Sequence, residues 1–213
     1  MNSIETHVLE LIGESTTSPD VFTDTDTGMA QIRDSINDAI EEIVMLTGAY
    51  REVYQIPLVQ DRALYRVKLT HGSFAWATDA WLVSNRVRLT QTDLFKLVQW
   101  NPRWMNASGD PQEYFQVGKD IIGVYPVPAS TTGVLEITMV VVPERYSSGT
   151  DRIKLREEFK WAAVDYAVGE YYASRGDTQR AADYHGKYTG KLGININYPR
   201  AAEKQYQFRT NKE

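Results

Sequence analysis

The chain has 213 residues, of which 42% are hydrophobic and 24% charged, enough for one core of useful size or for a domain carrying a large insertion. Cysteine is absent, which excludes disulfides, thiolate metal sites and cysteine nucleophiles together. The net charge of −5 argues against general nucleic-acid binding, no apolar run approaches the length that crosses a bilayer, and the opening MNSIETHVLELIGE is acidic and amphipathic, unlike a signal peptide. A soluble, non-secreted, non-catalytic protein is the expectation.

The charge is unevenly placed. Residues 1–50 carry ten acidic side chains and one basic, Arg33, a balance of −9, so the remainder sums to +4. From His185 onward there are six basic residues and two acidic ones. Such asymmetry often reflects how a chain meets its partners.

In chain order, Ile4, Val8, Leu11 and Ile12 fall on one helical face, and Gly13 ends that run. A polar stretch with Pro19 follows. Ile32, Ile36, Ala39, Ile40, Ile43 and Val44 then recur at three and four residues and predict a helix over about 28–47. Asp24 or Asp26 is its expected N-cap, Gly48 its expected stop, and acids fill much of its opposite face.

From Tyr50 to Ser147 short aromatic and β-branched runs are broken by Gly, Pro, Asn and Asp. Strands are predicted at 64–69, 80–89, 114–117, 121–125 and 134–142, with a hairpin turn at Gly118-Lys119-Asp120 and a longer loop from Pro126 to Gly133. Gln91–Gln99 reads as one short helix. Residues 151–174 read as a long helix apolar on more than one side: Leu155, Phe159, Ala162, Tyr166 and Ala173 on one face, Trp161, Val164, Val168, Tyr171 and Tyr172 over much of the rest. Asp177 is expected to cap an antiparallel return helix over 178–192, closed by Gly193. The tail from Ile194 to Glu213 has no firm periodicity. The expected fold is α+β: a helical bundle (1–49 and 148–193) interrupted by a β-rich insertion (50–147), with an extended tail (194–213).

Catalytic and metal chemistry finds little support in these residues. His7, His71 and His185 are isolated, and no HExxH, HxH, G-x-S-x-G or Walker A pattern occurs. Asp24-Thr-Asp26-Thr-Gly28 imitates half a calcium loop, but the twelfth position is Ser35 where a bidentate glutamate is needed. Arg175-Gly176-Asp177 spells an adhesion tripeptide and is explained by a turn plus N-cap. Glu157 and Glu158 suit a helix N-terminus and need no acid–base role. Hence no catalytic, cofactor or metal residues are assigned. Trp76, Trp81, Trp100 and Trp104 are able to stack on sugars or bases, but no basic stripe accompanies them, so core or interface is the plainer reading. The basic, aromatic tail suits docking on another protein as well as it suits a solvated segment.

The second half carries a family resemblance. Asp110-Pro-Gln-Glu-Tyr114 is followed by Ile121-Ile-Gly-Val-Tyr-Pro-Val-Pro128, Gly133-Val-Leu-Glu-Ile137 and Val142-Pro-Glu-Arg145. Then come the alanine-rich helix Phe159-Lys-Trp-Ala-Ala-Val-Asp-Tyr-Ala167, the Arg175-Gly-Asp177 turn and Ala181, Ala182, Tyr184 and Tyr188. This succession resembles the head-to-tail adaptor (connector, neck) proteins of tailed bacteriophages, including the tail tubular A type. The resemblance implies a structural virion protein of the neck, assembled in the host cytoplasm. Copies would form a ring, usually twelvefold, beneath the portal, extending the DNA channel and offering a platform for tail or nozzle proteins. Genomic DNA would pass without sequence-specific binding, with no membrane contact, no cofactor and no catalysis.

Three candidate sites follow from it. The tail, with Tyr198, Arg200, Lys204, Tyr206, Phe208, Arg209 and Lys212, would dock on the portal. Asp34, Asp38, Glu41 and Glu42 would line the channel and repel DNA phosphates. Trp161, Val164, Val168, Tyr171 and Tyr172 would meet a neighbouring subunit. The alternatives are a carbohydrate- or receptor-binding module built on the tryptophan-rich insertion, and an enzyme with an unrecognised carboxylate site, for which no convergent acid pair is visible.

Overall fold

The computed structural model describes residues 3–13, 26–131, 133–147 and 155–193. They divide between two compact units, one drawn from Met1–Ala49 and Arg145–Glu213 and the other from Tyr50–Glu144. The fold class is α+β, helices in the first unit and mostly short strands in the second.

In the helical unit, α1 spans Ser3–Ile12 and α2 Asp26–Thr47. Every apolar position that predicts α2 is buried: Ile32, Ile36, Ala39, Ile40, Ile43 and Val44. Asp26 is the first helical residue, and Asp24 lies outside the described residues. At the other end Gly48 takes φ +61 and its N–H donates to the Val44 carbonyl at 2.9 Å. That left-handed turn costs a glycine little and satisfies a carbonyl left open by the helix end.

The buried face of α1 differs from the expected one. Ile4, Val8 and Leu9 are buried with Glu5, while Leu11 is exposed. A polar residue on the core face is compatible with burial because it has a charged partner there, described below.

Helix α4 spans Glu157–Ser174, starting later than the expected residue 151; 155 and 156 precede it, and 151–154 lie outside the described residues. It packs against α1 and α2. α5, residues 178–193, returns along it. Asp177 caps α5, its Oδ1 accepting from the Arg180 N–H at 3.1 Å. Gly193 is still helical, one residue beyond the expected end. α4 therefore has neighbours on several sides within its own chain, which accounts for apolar residues around most of its circumference.

The second unit holds two four-stranded sheets. β1 (Arg51–Pro57), β3 (Ser73–Leu82), β4 (Val87–Arg88) and β10 (Val134–Val142) form one, ordered β1-β10-β3-β4. β2 (Leu64–Arg66), β5 (Thr90–Gln91), β7 (Glu113–Val117) and β8 (Ile121–Tyr125) form the other, ordered β2-β8-β7-β5. β6 (Ser108–Gly109) and β9 (Val127–Pro128) pair separately. The main core draws on both sheets: Ala80, Leu82, Leu135 and Ile137 from the first, Tyr65, Tyr114, Ile122 and Val124 from the second.

The run expected as one strand over 80–89 is two. β3 ends at Leu82, the chain turns over 83–86 with Arg86 at φ +55, and Val87 and Arg88 pair back onto Leu82 and Trp81. Likewise only 64–66 of the expected 64–69 is strand. The short helix, α3, is Leu94–Trp100, capped by Asp93, whose carboxylate accepts from the Phe95 N–H. It packs Leu97 with Trp104 and Phe115 in a second cluster.

Candidate functional site

The exposed side of α2 carries Asp34 and Asp38, with Glu41 one turn on, and a single described cation lies against all three. Arg145, the first residue of the helical unit after the β-rich segment, places Nη1 3.6 Å from Asp34 and Nη2 against Asp38 and 3.9 Å from Glu41. All four side chains are more than half exposed, so each pair contributes little to stability, about 0–1 kcal/mol. What the arrangement fixes is a local excess of negative charge. Glu42 belongs elsewhere: its carboxylate lies by the Tyr188 phenol, whose pKa is pushed up by burial and then by Glu42. The sequence grouping of four acids thus splits into three around Arg145 and one against α5. A shallow groove between α2 and α4, lined by Gln31, Asp34, Ser35, Asp38, Glu170 and Tyr171, continues the acidic side.

Along α4 and α5 the contacts are aromatic. Tyr166 meets Tyr188 edge-on at 5.1 Å and His185 at 5.6 Å, while Tyr172 stacks on Tyr184 at 5.9 Å. Cations cover the outer rings: Arg175 over Tyr171, Arg180 over Tyr172 and Lys187 over Tyr184. Buried Asp165 is paired with Lys191, whose Nζ also donates to the Trp161 carbonyl. Of the five residues expected at a subunit interface, Val164 and Val168 are buried inside the unit, Tyr171 and Tyr172 are half-buried, and Trp161 is 44% exposed with His7 against its ring. The structure therefore leaves Trp161, Tyr171 and Tyr172 reachable from outside.

The tryptophans of the β-rich unit do not share one role. Trp104 is buried edge-on against Phe115 at 5.4 Å. Trp81 stands in a cross-strand row, Gln55–Glu136–Trp81–Arg88, on the sheet face away from the core. Gln55 donates to Glu136 at 2.8 Å, and Trp81 and Arg88 both donate to Asp79, at 3.0 and 2.8 Å. The bond to Asp79 raises the Arg88 pKa further. Trp76 is half-buried, and Trp100 is 80% exposed at the end of α3, which also carries the exposed Phe95. Among the described residues no three His, Asp or Glu side chains are placed to share a metal ion, and no helix is long and apolar enough to cross a membrane.

The model of the SU10 adaptor protein family matches residues 3–210, nearly the whole chain. The chain belongs to that family. No curated protein matches the chain. SU10 adaptors are head-to-tail adaptors of bacteriophages, structural proteins of tail assembly. Adaptor membership implies that the chain meets phage portal and tail proteins. The expected portal-docking residues, Tyr198, Arg200, Lys204, Tyr206, Phe208, Arg209 and Lys212, lie outside the described residues of this adaptor.

Sequence reasoning about the adaptor missed Arg145, Asn37 and Glu5. A lone arginine after Pro143-Glu144 carries no periodic signal. A buried asparagine and a buried glutamate both read as solvent-facing until their partners are known.

Proposed function

We propose that this adaptor assembles as a ring, usually twelvefold in its family, beneath the phage portal, where it extends the DNA channel and carries tail or nozzle proteins. The observation that carries this reading is the family match over residues 3–210, which spans both units. A chain that must meet a portal above, a tail protein below and its own copies at the side needs several distinct surfaces. The acidic helical beginning and the basic residues after His185 supply two of opposite sign.

Within that reading, Asp34, Asp38 and Glu41 face the channel and keep DNA from adhering, since three carboxylates around one arginine leave a net acidic face that repels phosphates. The Tyr198–Glu213 tail docks on the portal, and Trp161, Tyr171 and Tyr172 contribute to the contact between subunits. Negative-stain microscopy of the protein alone and mixed with portal rings tests the assembly: rings stacked on the portal are expected, and particles that never add density to the portal would sink it. A chain lacking 198–213 is expected to fold and to lose portal binding. A ring in which Asp34, Asp38 and Glu41 all face outward would end the channel assignment.

A further inference from the structure

β1 is an open edge. It is seven residues long, whereas the other edge strands of the two four-stranded sheets, β4, β2 and β5, have two or three. Its pairing with β10 runs without a register shift from Arg51 to Pro57, so no bulge twists the edge away. The phase of the ladder is fixed at both ends, by Val141 N–H to the Tyr50 carbonyl at 3.1 Å and Leu58 N–H to the Gly133 carbonyl at 2.9 Å. Even-numbered residues therefore bond to β10, and the N–H and C=O of Val53 and Gln55 point away from the sheet. Among the described residues nothing bonds to those four groups. Val53 is 60% exposed, and Tyr50 and Tyr54 lie only partly buried at the rim of the core beneath the same edge. The edge thus offers unused backbone bonds on one side and an incompletely covered apolar rim on the other.

We propose that β1 receives a further strand from a second copy of this chain, namely Ile194-Asn195-Ile196-Asn197-Tyr198. The inference rests on the ring reading above and names one contact within it. Although the tail as a whole has no firm periodicity, these five residues alternate apolar and polar, as a half-buried strand does. Its length of five residues suits the seven of β1, and Pro199, which cannot donate to a ladder, ends it. Docked on β1, Ile194, Ile196 and Tyr198 extend the rim at Tyr50 and Tyr54, while Asn195 and Asn197 face solvent beside Val53. Main-chain bonds supply affinity and the alternating side chains supply register. The segment follows α5 directly in sequence; of the expected portal-docking residues it takes Tyr198 alone and leaves those from Arg200 onward for the portal.

The absence of cysteine makes the test clean. Val53→Cys is combined with Asn195→Cys in one full-length variant and with Asn197→Cys in another, side chains placed on the same sheet face. Each is assembled with portal rings and mildly oxidised. A ladder of covalent multimers on a non-reducing gel is expected from at least one variant, and dimers at most from Val53→Cys alone. Only monomers with an internal cross-link would assign the strand to the same chain and overturn the proposal. Rings visible by microscopy with no cross-link would overturn it while leaving the ring reading intact; no rings at all would sink both. Hydrogen exchange on the unmodified chain is the second measurement. The Val53 and Gln55 amides are expected to exchange about tenfold more slowly, or slower still, on assembly. Protection without any cross-link would assign the edge to a strand of another protein, which also overturns the proposal.

Discussion

Asn37 holds Tyr146 by both ends of its side-chain amide: Nδ2 donates to the Tyr146 carbonyl and Oδ1 accepts from the Tyr146 N–H, each at 3.0 Å. Both residues are buried, and they are 109 positions apart. The asparagine stands in for a strand partner, satisfying backbone groups that have no ladder of their own where the chain re-enters the helical unit. Asn37→Ala leaves both groups unpaired. At about 1–3 kcal/mol per unsatisfied group, a loss of roughly 2–6 kcal/mol is expected. Urea denaturation reads this as a lower midpoint at unchanged slope; an unchanged midpoint would show that water replaces the amide.

Glu5 and Arg33 give a second prediction. Glu5 has no exposed surface, and Arg33 Nε lies 2.6 Å from its Oε1. Removing one partner of a buried pair strands the other, so Arg33→Met is expected to cost about 3–5 kcal/mol. Converting both, Arg33→Met with Glu5→Leu, removes the stranded charge and is expected to restore much of that loss. Thermal melts of the two single variants and the double complete the cycle. Losses that simply add would show that the pair is not the unit that matters.

These two contacts also mark the limit of what the sequence discloses. α2 is legible because its apolar residues recur at helical spacing and all of them are buried; the 113–125 hairpin is legible because Gly118 separates two short aromatic runs. Arg51–Pro57 is faint because only Ile56 is fully buried, as expected of an edge strand. The 80–89 run misleads because apolar residues end at Val83 and resume at Val87, directly either side of a reversal at Ser84-Asn85-Arg86. For α4, periodicity counts apolar faces but not their neighbours. Val164 and Val168 are buried in the chain's own helical unit, whereas Trp161, met there by His7, stays 44% exposed. The acids of α2 are legible as a group, yet Arg145 and Tyr188, which divide them, are over a hundred residues away.

Gly123 supplies a prediction of close approach. A Cβ built there would sit 2.2 Å from the Phe115 ring, and Phe115 is fully buried on the cross-strand partner. The ring covers the glycine and packs with Leu97 and Trp104. Gly123→Ala is expected to destabilise by about 1–3 kcal/mol through overpacking. Phe115→Leu alone opens a cavity and also destabilises. Combined, the smaller side chain makes room for the methyl, so the double variant is expected to be more stable than the sum of the singles. Strict additivity, measured by denaturant midpoints, would mean that the ring swings clear by itself.

Burial raises several phenols, Tyr50, Tyr146 and Tyr188 most of all. Tyr50 is pushed up to about 12 by burial, then by its hydrogen bond to Glu52 and the charge of that carboxylate. Burial raises Tyr146 further, with Glu5 adding to it, and burial raises Tyr188, with Glu42 adding to it. In the unfolded chain all three ionise near the ordinary value of 10.0. Above that pH the unfolded chain releases protons that the folded chain retains, so the unfolded state is favoured as pH rises. Stability from these groups is complete below pH 10 and declines above it. The decline from Tyr50 runs to about 12, and those from Tyr146 and Tyr188 run beyond. Melting temperature is therefore expected to fall more steeply above pH 10 in the natural chain than in Tyr146→Phe or Tyr188→Phe, which have no proton to release at those positions. Each variant is compared with its own value at pH 8, which separates the alkaline slope from the loss of the hydroxyl itself. Equal slopes would mean that these phenols ionise as readily in the folded protein as in the unfolded one.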